Sequence, residues 1–181
     1  MGFHYRIYDQ AKPYFITMTV VDWIDVFMRK NHKIAIVESL QYCQEKKGLE
    51  IFGWCLMPSH LHMIIRAGEG YNLSDILRDF KRHTSKTVLN QIIEEPESRR
   101  EWMLEAFEKA GTKSSKHYKY KFWQDGSHPV ELLSEKFIRQ KLDYIHNNPV
   151  EEMLVASACE YLFSSARNYA DLSGMIDVIK V

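Results

Sequence analysis

The sequence is short of several things, and each shortage removes a class of function. It carries only 3 cysteines in 181 residues, Cys43, Cys55 and Cys159. An odd number with no close pair builds neither a disulfide framework nor a thiolate zinc knuckle, so they read as buried thiols in a reducing compartment. Neither sign of charge is in excess: Lys plus Arg number 24 and Asp plus Glu 24, with an isoelectric point near 7.1. That excludes a protein that coats nucleic acid through a uniform positive field, and any such contact must use local patches. No apolar run reaches membrane-spanning length, and the start, Met1-Gly2-Phe3-His4-Tyr5-Arg6, has neither an apolar signal core nor a myristoylation pattern. The expectation is a cytoplasmic protein with no membrane contact. Internal repeats and low-complexity tracts are also missing.

What remains is an ordinary globular composition, 45% hydrophobic, of a length that suits one domain over residues 1–181. Tyr14 to Val21 is β-branched and aromatic after Pro13, a first and central strand. Ile34, Ile36, Val37, Leu40 and Cys43 recur at helical period until Lys46-Lys47-Gly48, a basic last turn with a glycine cap. Glu50 to Met57 is a second strand, and Pro58-Ser59 turns it into a third that begins His60-Leu61-His62. Asn72 caps a second helix with Leu73, Ile76, Leu77, Phe80, Thr84, Thr87 and Val88 on one stripe. Residues from about 94 to 121 look inserted: an acidic stretch, a short amphipathic helix around Trp102 to Phe107, then a lysine and tyrosine segment from Gly111 to Lys121. That segment is either a surface loop or one that stacks bases and meets phosphates. Phe122-Trp123-Gln124 and His128 to Leu133 suggest a last strand, and Ser134 caps a final helix, carrying Phe137, Ile138, Leu142 and Ile145 on one side, that ends at Asn148-Pro149. The tail from Tyr161 packs back onto the sheet.

Two features carry chemistry. Alternate residues of a strand share a face, so His60 and His62 point the same way with backbones about 7 Å apart, while Leu61, Met63 and Ile65 enter a core. Two imidazoles so placed can converge on one cation, or be polar residues on a solvated face. On the second helix Arg78, Lys81, Arg82 and Lys86 fall together away from the apolar stripe, with no carboxylate between them. They form either a solvated face or a phosphate track.

Strand, helix, strand, strand, helix, strand, with a hairpin in the middle, is the order of an α+β ferredoxin-like (RRM-like) fold: an antiparallel sheet with helices on one face. The opposite face is left free for the final helix. On that helix Tyr144 and Asn148 are one turn apart, with Lys141 and Gln140 one turn before, so this edge can meet the histidines.

Cys55 to Ile64, with its Met-Pro turn and His-Leu-His, and Leu142-Asp143-Tyr144-Ile145-His146-Asn147-Asn148-Pro149-Val150 together resemble the HUH tyrosine transposases of small insertion sequences, and among them the branch associated with repetitive extragenic palindromes. Leu73 to Lys81, Phe122-Trp123-Gln124 and Tyr161 to Ala166 also fit, in order, from residue 14 to residue 169. The resemblance implies that the final helix carries the catalytic tyrosine, Tyr144, that His60 and His62 bind a divalent cation, and that Asn148 is the third ligand where other branches use glutamine. It further implies nicking and rejoining of single-stranded DNA with hairpin or palindromic ends through a 5′-phosphotyrosine, by a monomer or a homodimer. Two features depart from the pattern: the long 94–121 segment, and Glu151-Glu152 where relatives carry lysine.

The residue types suit that reaction. A phenol is a better leaving group than an aliphatic hydroxyl, which favours a reversible cut and rejoin. Imidazole nitrogens plus an amide oxygen, with no thiolate, suit Mg²⁺ or Mn²⁺ in use, with zinc or nickel as crystal occupants. Lys141 either contacts phosphate and favours the phenolate or is an ordinary solvated lysine. His146 points elsewhere on the helix. The competing functions are a module that binds structured nucleic acid without cutting it, and a two-histidine hydrolase of small phosphodiesters.

Overall fold

The structure is a computed structural model that describes residues 7–114 and 119–181. Ser115-Lys116-His117-Tyr118, the middle of the lysine and tyrosine segment, lies outside the described residues. The elements are β1 (Tyr14–Thr19), α1 (Lys30–Lys47), β2 (Leu49–Leu56), β3 (His60–Ala67), α2 (Leu73–Glu94), α3 (Arg100–Thr112), β4 (Val130–Glu131), α4 (Glu135–Glu151) and α5 (Ala166–Tyr169). The four strands form one antiparallel sheet in the order β2-β3-β1-β4. This is the ferredoxin-like α+β arrangement, with β1 and β3 in the centre.

The caps are those the sequence points to. Asn72 accepts from the Asp75 amide and Ser134 from the Phe137 amide, each filling an orphan donor of its helix. Gly48 ends α1 in the left-handed region at φ 66°, its N–H reaching the Cys43 carbonyl. On one face of the sheet Ile16, Met18, Ile51, Trp54, Leu61, Met63 and Ile65 pack under Ile36 and Leu40 of α1 and Phe80 and Val88 of α2, all buried. Each such side chain contributes about 1.5–3 kcal/mol when fully removed from water. α3 adds Met103 and Phe107 to this core and leaves Trp102 exposed.

The other face is covered by α4. Leu142 and Ile145 meet Phe15, Phe52, Cys55, Met57 and Ile64, with Tyr161 from the tail, in a second and smaller apolar cluster. The approach is made possible by a β-bulge. Ile51 pairs with Ile65 but Gly53 pairs with Ile64, so Phe52 and Gly53 both turn toward α4. A Cβ on Gly53 would stand 2.3 Å from Leu142 Cδ2, so glycine lets the helix come this close without displacing Leu142. The tail runs along the outer edge of β2: the Leu56 amide donates to Phe163 O and the Ser165 amide to Trp54 O, both at 2.9 Å. This backbone pairing protects an otherwise open sheet edge.

Three expectations change. The last strand is only Val130–Glu131, while Trp123 touches Val20 in a single bridge. Between them Gly126 and His128 take positive φ and Pro129 has no amide to donate, so the ladder cannot run through. α4 does not stop before Pro149 but continues to Glu151. In its last turn the proline forfeits one bond, and the Glu152 amide closes the end on Asn148 O. Of the thiols, Cys43 and Cys55 are buried but Cys159 is half-buried. Among the described residues no helix is long and apolar enough to cross a membrane.

Candidate functional site

The antiparallel register sets Thr17 opposite His62 and Thr19 opposite His60, on the face that α4 covers. The two imidazole rings lie 4.6 Å apart, centroid to centroid. Each has a hydroxyl at its Nδ1: Thr17 Oγ1 at 2.9 Å from His62 and Ser59 Oγ at 3.1 Å from His60. In the tautomer whose Nδ1–H donates to that oxygen, the Nε2 lone pair of each ring is the one that can accept, the arrangement a metal ligand needs. Burial holds the His60 imidazole down at about 4; burial, then the nearby His60 and Lys141, hold His62 at about 3. Both are therefore neutral near pH 7, as a cation requires.

α4 brings the other half from the same chain. The Tyr144 ring stands 5.5 Å from the His62 ring and 6.0 Å from Phe15, and the residue is 46% exposed. One turn later Asn148 is buried, its Nδ2 3.5 Å from His62 Nε2. An amide carries a donor and an acceptor on one planar group, so this side chain can serve the imidazole or offer its oxygen to a cation. Among the described residues no three His, Cys, Asp or Glu side chains gather to hold a metal. The groups that could hold a hard divalent cation here are His60 Nε2, His62 Nε2 and, with its amide turned over, Asn148 Oδ1. Lys141 reaches the same place: its ammonium lies 4.7 Å from the Phe15 ring centroid and 5.5 Å from that of Tyr144. His146, on another side of α4, bonds Ser165 Oγ at 2.7 Å and takes no part.

The basic face of α2 is different from its sequence reading. Carboxylates do intervene: Asp79 pairs with both Arg78 and Arg82, and Asp75 with Arg78. An aspartate next in sequence to Arg78 reaches it because long arginine side chains bend along the helix surface. Lys81 is withdrawn from the row altogether, with its ammonium donating to the carbonyls of Gln124 and Gly126 and its pKa lowered by burial to about 8. Lys86 remains exposed, beside Arg82 at the groove between α1 and α2. The structure therefore brings His60, His62, Tyr144, Asn148 and Lys141 together and leaves Arg78, Lys81, Arg82 and Lys86 on α2, outside that cluster. Thr17 and Ser59 are site residues that the sequence reading missed. The alternation of Phe15, Thr17 and Thr19 against Ile16 and Met18 marks a polar run on one strand face, but only the register shows that it faces His62.

The chain matches a family model described as "Transposase IS200 like" over residues 14–148. No curated protein matches it. Among solved structures it is similar to that of the REP-associated tyrosine transposase bound to a REP hairpin, with a TM-score of 0.64 and 20% identity, covering 100% of this chain and 95% of that one. A crystal structure of a protein assigned as a transposase from Deinococcus radiodurans R1 gives a TM-score of 0.44 and 15% identity over 81% of this chain and 95% of the other. The family match begins in β1, passes through the strand of His60 and His62, and ends at Asn148 on the helix of Tyr144, and by it the chain belongs to the IS200-like transposases.

Proposed function

We propose that the protein is a metal-dependent transposase that nicks and rejoins single-stranded DNA at hairpin-bearing ends, with Tyr144 as the nucleophile. One observation carries this reading: Tyr144 stands over His62 within a single chain, with Asn148 against the same imidazole. Family membership supports it, as does the likeness of fold to a transposase described as bound to a REP hairpin.

In the forward step the Tyr144 oxygen forms a bond to the scissile phosphorus and the bond from phosphorus to the 3′ oxygen breaks. The cut strand keeps a 5′-phosphotyrosine on the protein and a free 3′-OH. Rejoining is the reverse, a 3′-OH attacking phosphorus and the phenolate leaving. Half-exposed at the edge of α4, Tyr144 is accessible to a strand, while Phe15 and His62 fix the plane of its ring. Lys141, whose ammonium lies 5.5 Å from the centroid of the Tyr144 ring, screens the phosphate charge. Thr17 and Ser59 hold the imidazoles in the tautomer that leaves Nε2 free. His60, His62 and Asn148 would hold Mg²⁺ or Mn²⁺, and the ion would supply Lewis-acid stabilisation of the charge that develops on phosphate. Arg82 and Lys86, with Arg78 partly neutralised, are backbone contacts for the folded part of the DNA.

Incubation with Mn²⁺ and an end-labelled hairpin oligonucleotide is expected to give a denaturation-resistant adduct that Tyr144→Phe abolishes. Persistence of the adduct in that variant would remove Tyr144 as nucleophile. A second reading has its own observation: His62 is satisfied on both nitrogens by Thr17 and Asn148 without any cation. It is a hairpin-binding protein that no longer cuts. Hairpin binding untouched by chelator and by His60→Ala, with no cleavage, is its signature.

A further inference from the structure

We propose that Trp23 is a stacking platform for one unpaired base of the DNA strand that enters the site. The proposal rests on reading the site as one that takes single-stranded DNA, and it adds a contact for the base where the residues above meet only phosphate and metal.

Trp23 lies in the turn between β1 and α1. It is 59% exposed, although tryptophan is the side chain with most to gain from burial, and its ring meets His60 edge to face at 5.3 Å. His60 in turn meets His62, and His62 meets Tyr144. An unbroken row of rings thus crosses the site, with an exposed aromatic at each end: the candidate nucleophile at one and Trp23 at the other.

The backbone is held in an unfavourable form to achieve this. Asp22 and Trp23 both sit in the left-handed region, at φ 52° and 56°, which non-glycine residues avoid. The conformation persists because both flanks are fixed. Val21, Ile24, Val26 and Phe27 are buried, and the Val21 amide bonds Phe122 O. α3 packs against the same turn, and the segment before it is tied there by ion pairs from Arg99 to Asp25 and from Arg29 to the buried Glu97. The tryptophan is therefore presented rigidly, with little entropy left to lose when a base lands on it. The cations at the turn, Arg99 and Arg29, are engaged by Asp25 and Glu97, so what Trp23 offers is a π-face for a base and not a phosphate contact. Every base has such a face, so the platform holds a strand of any sequence in register with Tyr144.

The test uses the full chain in the Tyr144→Phe background with Mn²⁺, so that binding is measured without covalent capture. The probe is a DNA hairpin with oligothymidine flanks, and the same hairpin with one abasic residue walked along each flank. Trp23→Ala is expected to weaken binding about ten-fold or more and Trp23→Phe much less. One abasic position should reproduce the loss in the parent and add nothing to Trp23→Ala. Trp23→Gly, which relieves the backbone at that residue, should match Trp23→Ala in binding and unfold at the same or a higher temperature than the parent. The proposal is overturned if Trp23→Ala binds within about two-fold of the parent, if its loss is equal on a blunt hairpin, or if both small variants unfold as core variants do. Hairpin binding with no adduct from the unmodified chain refutes nicking alone, and no binding by the parent refutes both.

Discussion

The two faces of the sheet are built from the same three strands and used in opposite ways. Toward α1 and α2, β1 and β3 send Ile16, Met18, Leu61, Met63 and Ile65, all fully buried with nothing polar among them. Toward α4 they send Phe15, Thr17, Thr19, His60, His62 and Ile64, and only the apolar members join the second cluster. One face supplies most of the burial that holds the chain together. That lets the other face carry two desolvated imidazoles, a half-exposed tyrosine and a buried amide, none of which adds much to stability. The difference also explains why α4 needs the bulge at Gly53. A helix resting on a polar patch lacks a broad apolar seat, so its position depends on a few close contacts.

The comparison can be broken at its extremes. Tyr144→Phe should remove adduct formation completely while leaving stability within about 0.5 kcal/mol, because the hydroxyl lies at an exposed edge and is outside both apolar clusters. In contrast, Ile51→Ala should lower unfolding free energy by about 2–5 kcal/mol and spare the chemistry of the protein that remains folded. Denaturant titration beside an adduct gel separates the two; equal damage to both properties in either variant would abolish the division of labour.

Gly53→Val lies between these extremes. Valine suits a strand, but its branches run into Leu142, so α4 must lift. Adduct formation is expected to fall about 100-fold from a shift on the order of 1 Å at Tyr144, with a stability loss of only about 1–3 kcal/mol. Unaltered cleavage by this variant would show that α4 tolerates a looser seat.

A pH effect of similar size on stability comes from His146 of α4, beside those of His60 and His62. Burial holds His146 down at about 4. A folded pKa below the unfolded value of about 6.5 means that the unfolded chain takes up protons first. The stability this group confers is complete above pH 6.5 and is lost as pH falls toward 4, by about 3 kcal/mol. His146→Gln, which keeps a partner for Ser165, should reduce the slope over that range and leave the share of His60 and His62, which burial holds down in the same way; an unchanged slope would assign all of it to those groups.

The smallest effects are expected on α2. Arg82→Gln and Lys86→Gln should each reduce the slope of log binding constant against log salt by about 1, at little cost in stability. Lys81→Met should do the reverse, loosening the Gln124 to Gly126 turn by about 1 kcal/mol with no change in slope, since its ammonium is already committed to those carbonyls.

Much of this was legible in the chain itself. Periods of two and 3.6 mark β1, β3, α1, α2 and α4, and Asn72, Ser134 and Gly48 mark their ends, because caps and side-chain alternation are local properties of the backbone. The alternation in His60-Leu61-His62 by itself dictates that both imidazoles share a face, and the spacing of Tyr144 and Asn148 dictates that they share a helix edge. Their meeting could not be read there. It depends on antiparallel register, which sets Thr17 beneath His62, and on a bulge that turns both Phe52 and Gly53 toward α4 so that the helix can descend. The same holds for Lys81 and Arg78, whose position on the helix is local but whose partners at Gln124, Gly126 and Asp79 are chosen by packing and by side-chain reach. Local spacing determined which groups travel together; only tertiary contact, formed between residues far apart in sequence, decided which of them face one another across the site.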